Sequence, residues 1–284
     1  MSAHRPSAAD KRAAFRKLHE SGCFVIPNPW NVGSARYLQG LGFKALATTS
    51  SGASHAQGMA DGAMSLDQVL AHFRALAEAT DVPLNADFED GLAGDLDGLT
   101  ANVTRCVATG VAGLSIEDSP NDGKTPLYDL DTAVARVKTA RAAIDRAGGD
   151  VVFTARAENF VRGVNDLDDA IKRLKAYAQA GADCLYAPGI TKREQIEAVV
   201  QAVAPKPVNF LNSGAFGFTV SDLAAMGVRR ISVGGSLARV AMHAFIKTAT
   251  AIAKDGKFDG FAGLISNGEL NAFFNGERNT AGPQ

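Results

Sequence analysis

Three stretches decide the fold: PLNADFEDG at 83–91, GVAGLSIEDS at 110–119 and VVFTARAENF at 151–160. Each contains a short run that is apolar almost throughout, and each closes on carboxylate, amide or guanidinium side chains. A strand buried on both faces reads this way, with its polar residues gathered where the chain leaves the sheet. Working outward, the same pattern recurs at 23–28, 45–49, 184–187, 207–211 and 230–234, which makes eight strand-like runs. Between them lie amphipathic stretches such as 66–80, 131–147, 167–180 and 192–203. Several open on Asp, Ser or Thr and end near Gly, the usual start and stop of a helix. Glycine in the Ala-Gly-Ala step at 180–182 and the Met-Gly-Val step at 226–228 suits the residue just past a helix, where φ is positive.

Eight βα units in a chain of 284 residues predict one closed (β/α)8 TIM-type barrel, of class α/β. A doubly wound sheet is the alternative, but the first strand runs into PNPWNVGSA at 27–35, which lacks the Gly-x-Gly-x-x-Gly fingerprint. Nothing divides the chain, so residues 1–284 read as a single domain, with 258–284 as a helical C-terminal extension. Phe261, Leu264, Ile265, Leu270, Phe273 and Phe274 make that extension too apolar for water, so it is expected to pack on the barrel or on a neighbouring subunit.

Composition narrows the function. Apolar residues make up 46% of the chain, enough for a large core, and 29 basic against 30 acidic residues leave a net charge of −1. That balance predicts neither a nucleic-acid surface nor a polybasic membrane surface. No run of eighteen apolar residues is present, and the first residues lack the apolar centre of a signal peptide, so the expectation is a cytoplasmic protein. Cys23, Cys106 and Cys184 show no metal-ligand spacing, and Cys23 and Cys184 read as core residues. No Gly-x-Ser-x-Gly elbow supports a hydrolase triad. Among the histidines, His55 follows a Ser-Ser-Gly step and is a candidate to face the site, whereas His19, His72 and His243 read as helix residues.

In a barrel of this kind the site lies at the C-terminal ends of the strands. Asp87, Glu117 and Arg156 end three consecutive strands. Two carboxylates with Asn85 nearby suit a hard cation held by oxygen, Mg2+ first among them. Arg156 offers a planar fork for a carboxylate or phosphonate. Ser50, Ser51 and Gly52 offer hydroxyls and N–H groups for an anion, and Asn209 ends strand seven as a further substrate ligand. Together these describe a site for a 2-oxo acid, whose enolate a metal would stabilise as a bond to C3 breaks. Plainer readings stand beside each: Asp87 as a helix N-cap, the pair Glu117-Asp118 as solvated charge, Arg156 paired with Glu158 or Asp87 across a barrel rim. Gly234-Gly235 reads either as a phosphate-binding turn or as a tight turn alone.

In order and spacing, the stretches 27–52, Asp61-Gly62, 83–91, 110–119, 154–160 and 180–189 resemble the isocitrate lyase/phosphoenolpyruvate mutase superfamily over nearly the whole chain. The likeness is to its small bacterial members. It implies a Mg2+-dependent barrel enzyme acting on a small 2-oxo acid, and a homotetramer built as a dimer of helix-swapped dimers. By motif, Ser50, Ser51 and Gly52 would hold the substrate carboxylate and Arg156 the substrate. Asp61 would belong to the metal shell, and Asp87 and Glu117 would hold Mg2+.

Three departures bear on the reaction. The family's strand-three Asp-x-Asp is read here as Asn85-Ala86-Asp87, which predicts weaker Mg2+ binding, with Glu89 or Asp90 available to compensate. The lyases' Cys-Gly-His motif after strand four is replaced by 118–125, DSPNDGKT. The lyases' Glu after strand six is replaced by Pro188. Three functions follow: cleavage of a C–C bond in an oxaloacetate-like acid, ranked first; a phosphoenolpyruvate mutase or phosphonopyruvate-type enzyme acting on a P–C bond, favoured if Lys124 in the loop 118–130 lies over the site; and a weakly active or non-catalytic 2-oxo-acid binder, motivated by Asn85.

Overall fold

The computed structural model describes residues 5–148 and 150–276. Eight strands form one parallel sheet: β1 (Phe24–Ile26), β2 (Leu46–Ala47), β3 (Leu84–Asp87), β4 (Gly113–Glu117), β5 (Val152–Arg156), β6 (Cys184–Tyr186), β7 (Val208–Leu211) and β8 (Arg230–Ser232). Their spatial order is β1-β8-β7-β6-β5-β4-β3-β2, every pairing parallel. The gap between β1 and β2 is bridged by the Ala47 N–H, which donates to the Pro27 carbonyl at 3.1 Å. The result is the (β/α)8 barrel the sequence predicts, nearly closed by its ladders.

The helices are α1 (Ala8–Leu18), α2 (Val32–Gly40), α3 (Ser50–Ala56), α4 (Leu66–Ala79), α5 (Leu96–Val107), α6 (Leu130–Arg146), α7 (Leu167–Gln179), α8 (Arg193–Val203), α9 (Val220–Ala225), α10 (Ser236–Asp255) and α11 (Asn267–Phe274), with a 3-10 turn at Asp259–Phe261. Their starts are where the sequence puts them. Ser65, Asp129 and Asp166 each accept the N–H three residues on, satisfying a donor the first turn leaves free. Gly181 and Gly227, just past two helices, sit at φ +106° and +87°.

The strands are shorter than the apolar runs because side chains replace the ladder at their ends. Asn28, read as the end of strand one, lies beyond it. Its amide donates to the Thr48 carbonyl at 2.8 Å, and its oxygen accepts the N–H groups of Val233 and Gly234, each at 2.9 Å. One buried amide therefore ties the ends of β1, β2 and β8 where β1 and β2 share no ladder.

Between strands and helices lies a continuous apolar core, and the barrel interior is different. At its N-terminal end α1 inserts Phe15, fully buried against Ile26, Ala45, Ala112 and Val152. Gly113 makes room for this plug, since a Cβ there would lie 2.5 Å from the Phe15 ring. Above the plug the interior is polar. Arg230 donates to Asn209 at 2.8 Å, to Thr154 at 3.1 Å and to Asn85 at 3.4 Å. Buried polar groups must find partners, and here they find one another.

The extension behaves in two ways. Phe273 and Phe274 pack on α2: Phe273 stacks on Tyr37 with ring centroids 4.9 Å apart, and Arg36 donates to the Phe274 carbonyl at 2.8 Å. Phe258, Phe261, Leu264 and Ile265 are exposed on this chain, as are Val240, Phe245 and Ile246 of α10. Residues 277–284 of the expected extension lie outside the described residues. No helix among the described residues is long and apolar enough to cross a membrane.

Phe15→Ala is expected to lower unfolding stability by about 3–5 kcal/mol, the usual cost of emptying a packed aromatic site. Urea denaturation measures it, and a loss below about 1 kcal/mol would mean that α1 does not plug the barrel.

Candidate active site

The strand ends open into a cavity of about 430 Å3. Its upper wall carries Ser50, Ser51, Asp61, Asp87, Glu89, Glu117, Asn121, Arg156, Glu158 and Arg162, and its floor includes Asn85, Ser115, Asn209, Arg230 and Ser232. Gly52, Lys124 and His55 do not line it. His55 lies in the last turn of α3 and borders a separate groove with Trp30, Met242 and Phe245.

Arg156 stands at the centre. From the last position of β5 its Nη1 lies 2.7 Å from Asp87 and 2.9 Å from Glu117, and its Nε donates to Glu158 at 2.7 Å. The guanidinium lies over the Tyr186 ring, 4.8 Å from its centroid. Parallel register explains the convergence, because Glu117 pairs with Arg156 and Arg156 with Tyr186 on neighbouring strands. One guanidinium carries one positive charge against three carboxylates. Burial pushes the Glu117 carboxyl well above the usual range, with Arg156 opposing and Glu158, Asp87 and Glu89 adding to the rise. Glu158 is raised for the same first reason.

Glu158 is held from behind. Its N–H donates to Asp118 Oδ1 at 2.8 Å, and Asp118 also accepts Tyr177 at 2.5 Å and Arg173 at 3.1 Å. Asp118 is thus an interior anchor with 3% exposure, and the alternative reading of Glu117-Asp118 as a solvated charge pair does not hold for it.

Glu89 is the site residue that sequence reasoning kept only as a substitute. It follows β3 by two residues, in the left-handed region at φ +48°, and its carbonyl accepts the Glu117 N–H at 2.8 Å. A non-glycine residue held there is strained, and such residues concentrate at functional sites. Burial, then Asp87, Asp61 and Asp90, push its carboxyl up to about 7. Asn85, expected in the metal shell, faces the barrel floor, where its oxygen accepts from Arg230 and its amide donates to the Ala86 carbonyl at 3.2 Å. The carboxylates of the cavity wall away from the Glu158 anchor are Asp61, Asp87, Glu89 and Glu117, with Asn85 on the floor below them. Alternation puts Asn85 and Asp87 on one face of β3, but a layer apart.

Asn209 lines the same cavity from its floor. Both ends of its amide are engaged, with Ser232 at 2.9 Å and Arg230 at 2.8 Å, so it braces the floor. Ser50, Ser51 and Gly52 form the first turn of α3 rather than a free turn. The Ser50 N–H donates to Asp87 Oδ2 at 3.1 Å, and Ser51 bonds Thr49 at 3.2 Å. Gly234, at φ +54°, is the turn glycine of its pair, and Gly235 leaves room for Ser51, since a Cβ there would lie 2.5 Å from the Ser51 hydroxyl. Across the mouth, the Asn121 amide reaches Glu89 and the Gly62 carbonyl, each at 3.3 Å. A Cβ on Gly62 would block it at 2.6 Å.

Among the described residues no three acidic, histidine or cysteine side chains already converge as a metal-ligand set. The guanidinium of Arg156 stands between the acids instead.

Comparison with known proteins places this arrangement. The model of the phosphoenolpyruvate phosphomutase family matches residues 15–253. An oxaloacetate decarboxylase of Paraburkholderia xenovorans is 31% identical over 238 residues, 80% of this chain and 77% of that protein. A structure from Burkholderia cenocepacia J2315, provisionally titled a lyase/mutase, is 40% identical, with TM-score 0.92 over 96% of this chain and 99% of that one. A phosphonopyruvate hydrolase bound to oxalate and Mg2+ is 26% identical, with TM-score 0.83 over 94% of this chain and 95% of that one.

In the absence of divalent cation, Glu89 should make the protein less stable as pH rises. Its folded value of about 7 exceeds the ordinary carboxylate value, so between about 4.5 and 7 the folded state holds a proton that the unfolded state has lost. Glu89→Gln should remove that part of the fall, read as the difference between the two proteins' stability–pH curves; superimposable slopes would remove Glu89 from the acidic group.

Matched over most of its length by that family model and by relatives of these two kinds of chemistry, the chain belongs to the isocitrate lyase/phosphoenolpyruvate mutase superfamily of enzymes.

Proposed function

We propose that the chain is a Mg2+-dependent enzyme that cleaves a C–C bond of a small, oxaloacetate-like 2-oxo acid to give an enolate. The observation that carries this is the acidic group Asp61, Asp87, Glu89 and Glu117 facing one cavity with too little positive charge to balance it. A site that raises Glu89 to about 7 fits a hard divalent cation, which takes oxygen ligands and relieves that repulsion. Asp87, Glu89 and Glu117 would hold it, with Asp61 beside them. Bound there, a cation supplies polarisation of a 2-oxo group and stabilisation of the negative charge that develops on its oxygen.

The chain's own residues do the rest. Arg156, fixed by Glu158 and stacked on Tyr186, orients the substrate's acid group through its fork. The hydroxyls of Ser50 and Ser51 and the first turn of α3 receive the substrate carboxylate. Asn121 spans the mouth and limits water, which would otherwise quench the enolate. The decarboxylase relative supports C–C chemistry, and so does Lys124, which lies away from the cavity lining. The hydrolase neighbour keeps P–C chemistry as the second reading. The binder reading rested on Asn85, and Glu89 takes away its motive.

We further propose a homotetramer, a dimer of helix-swapped dimers, in which the exposed apolar side chains of α10 and of 258–265 lie on a neighbouring subunit. So large an apolar surface left in water promotes association. Light scattering should report about four chains per particle, and a single-chain mass at micromolar concentration would sink this assembly.

The decisive experiment follows proton and phosphorus NMR of the protein with Mg2+ and either oxaloacetate or phosphonopyruvate. Loss of oxaloacetate that stops on adding a chelator is expected; phosphorus turnover would reverse the ranking. Arg156→Ala should lower kcat/KM at least 100-fold, about 3 kcal/mol, and near-normal kinetics would remove Arg156 from the substrate.

A further inference from the structure

Three cationic side chains line the cavity, and two of them are engaged. Arg156 lies among three carboxylates, and Arg230 is held by Asn209, Thr154 and Asn85. Arg162 is different. Its guanidinium donates no hydrogen bond to any described residue, its ion pair to Glu117 Oε2 spans 3.8 Å, and its side chain is 40% exposed. An ion pair so long and so wet adds little to the fold.

The backbone that presents Arg162 is nonetheless fixed. Its N–H donates to the Glu158 carbonyl at 3.0 Å, and the Val164 N–H donates to the Asn159 carbonyl at 2.8 Å. The buried Asn159 amide donates to Asp169 in the first turn of α7 at 2.8 Å. Gly189, at φ +90°, lets the loop after β6 press on this turn, where a Cβ would lie 2.7 Å from Phe160. A fixed turn holding out a free guanidinium is preorganised for a ligand. Its placement is specific too. Arg156 approaches Oε1 of Glu117 and Arg162 approaches Oε2, so the two guanidiniums flank one carboxylate, the first inside and the second toward the mouth.

We propose that Arg162 is a specificity-determining residue that receives the substrate's second acid group on the mouth side of Glu117. Arg162 would then be the residue by which the site favours the diacid of the proposed reaction over a 2-oxo monoacid. This rests on reading the cavity as a 2-oxo-acid site. A planar fork suits either group, since each offers two coplanar oxygens, and Lys would supply the charge without the paired geometry.

The test is calorimetric binding to the full chain in Mg2+, comparing oxalate, which has only the head, with 3,3-difluorooxaloacetate and phosphonopyruvate, which carry the second acid. Arg162→Gln should weaken one or both of the longer ligands at least tenfold and leave oxalate within twofold, with an unchanged Tm. Loss confined to one longer ligand identifies the acid group as carboxylate or phosphonate. Arg162→Lys should fall between the wild type and the Gln variant. Equal weakening of all three ligands, or of none, overturns the proposal while the 2-oxo-acid reading stands. Failure of the wild type to bind even oxalate overturns that reading, and this one with it.

Discussion

Arg156 is the interaction on which the site depends. A buried guanidinium is costly unless it is paired, and a buried carboxylate is costlier still beside others of its kind. Setting one cation among Asp87, Glu117 and Glu158 makes each tolerable and none fully neutralised. The anchoring behind it is one-sided. Glu158 is fixed through Asp118, Tyr177 and Arg173, which are interior, whereas Asp87 and Glu117 look into the cavity. The backbone at Glu158 is thus fixed from behind, while the carboxylates of Asp87, Glu117, Glu89 and Glu158 all face the charge of the cavity.

The polar interior follows from the same geometry. A barrel of eight strands is usually filled by layers of branched apolar side chains. Here only the lowest layer is apolar, plugged by Phe15, and the next is an amide and hydroxyl layer organised by Arg230. That layer fixes the height at which the cavity begins. It also accounts for Asn85 and Asn209, which point inward as site residues would, yet satisfy a buried arginine.

How much of this was legible in the sequence depended on whether a residue's position followed from periodicity. Strand ends did: Asp87, Glu117 and Arg156 terminate consecutive strands and meet, because parallel register brings equivalent ends together. Glu89 did not. Beyond Asp87 the chain leaves β3, and the left-handed turn at Glu89 returns its carboxylate to the cavity, which no period-two reading anticipates. The adjacent Glu-Asp-Gly was the available signal, since short polar residues before glycine mark a turn. The anchoring role of Asp118 was not legible for the opposite reason, as its partners Tyr177 and Arg173 lie more than fifty residues away. The extension was readable as apolar, but the division between Phe273 and Phe274 on α2 and the exposed 258–265 segment depends on shape rather than composition.

The contact between Asn121 and Glu89 joins these threads. The loop after β4 meets the acidic group through an amide that donates to a carboxylate raised by its neighbours. That donation is strongest when Glu89 is ionised, and Glu89 is most readily ionised when positive charge enters the cavity. A cation held as proposed would share that carboxylate with Asn121, which donates to it from the mouth. Gly62 lets the Asn121 amide pack this closely, because the space a Cβ would occupy is already taken by it. The loop after β4 and the acidic group thus meet at a single carboxylate, whose ionisation sets the strength of the contact between them.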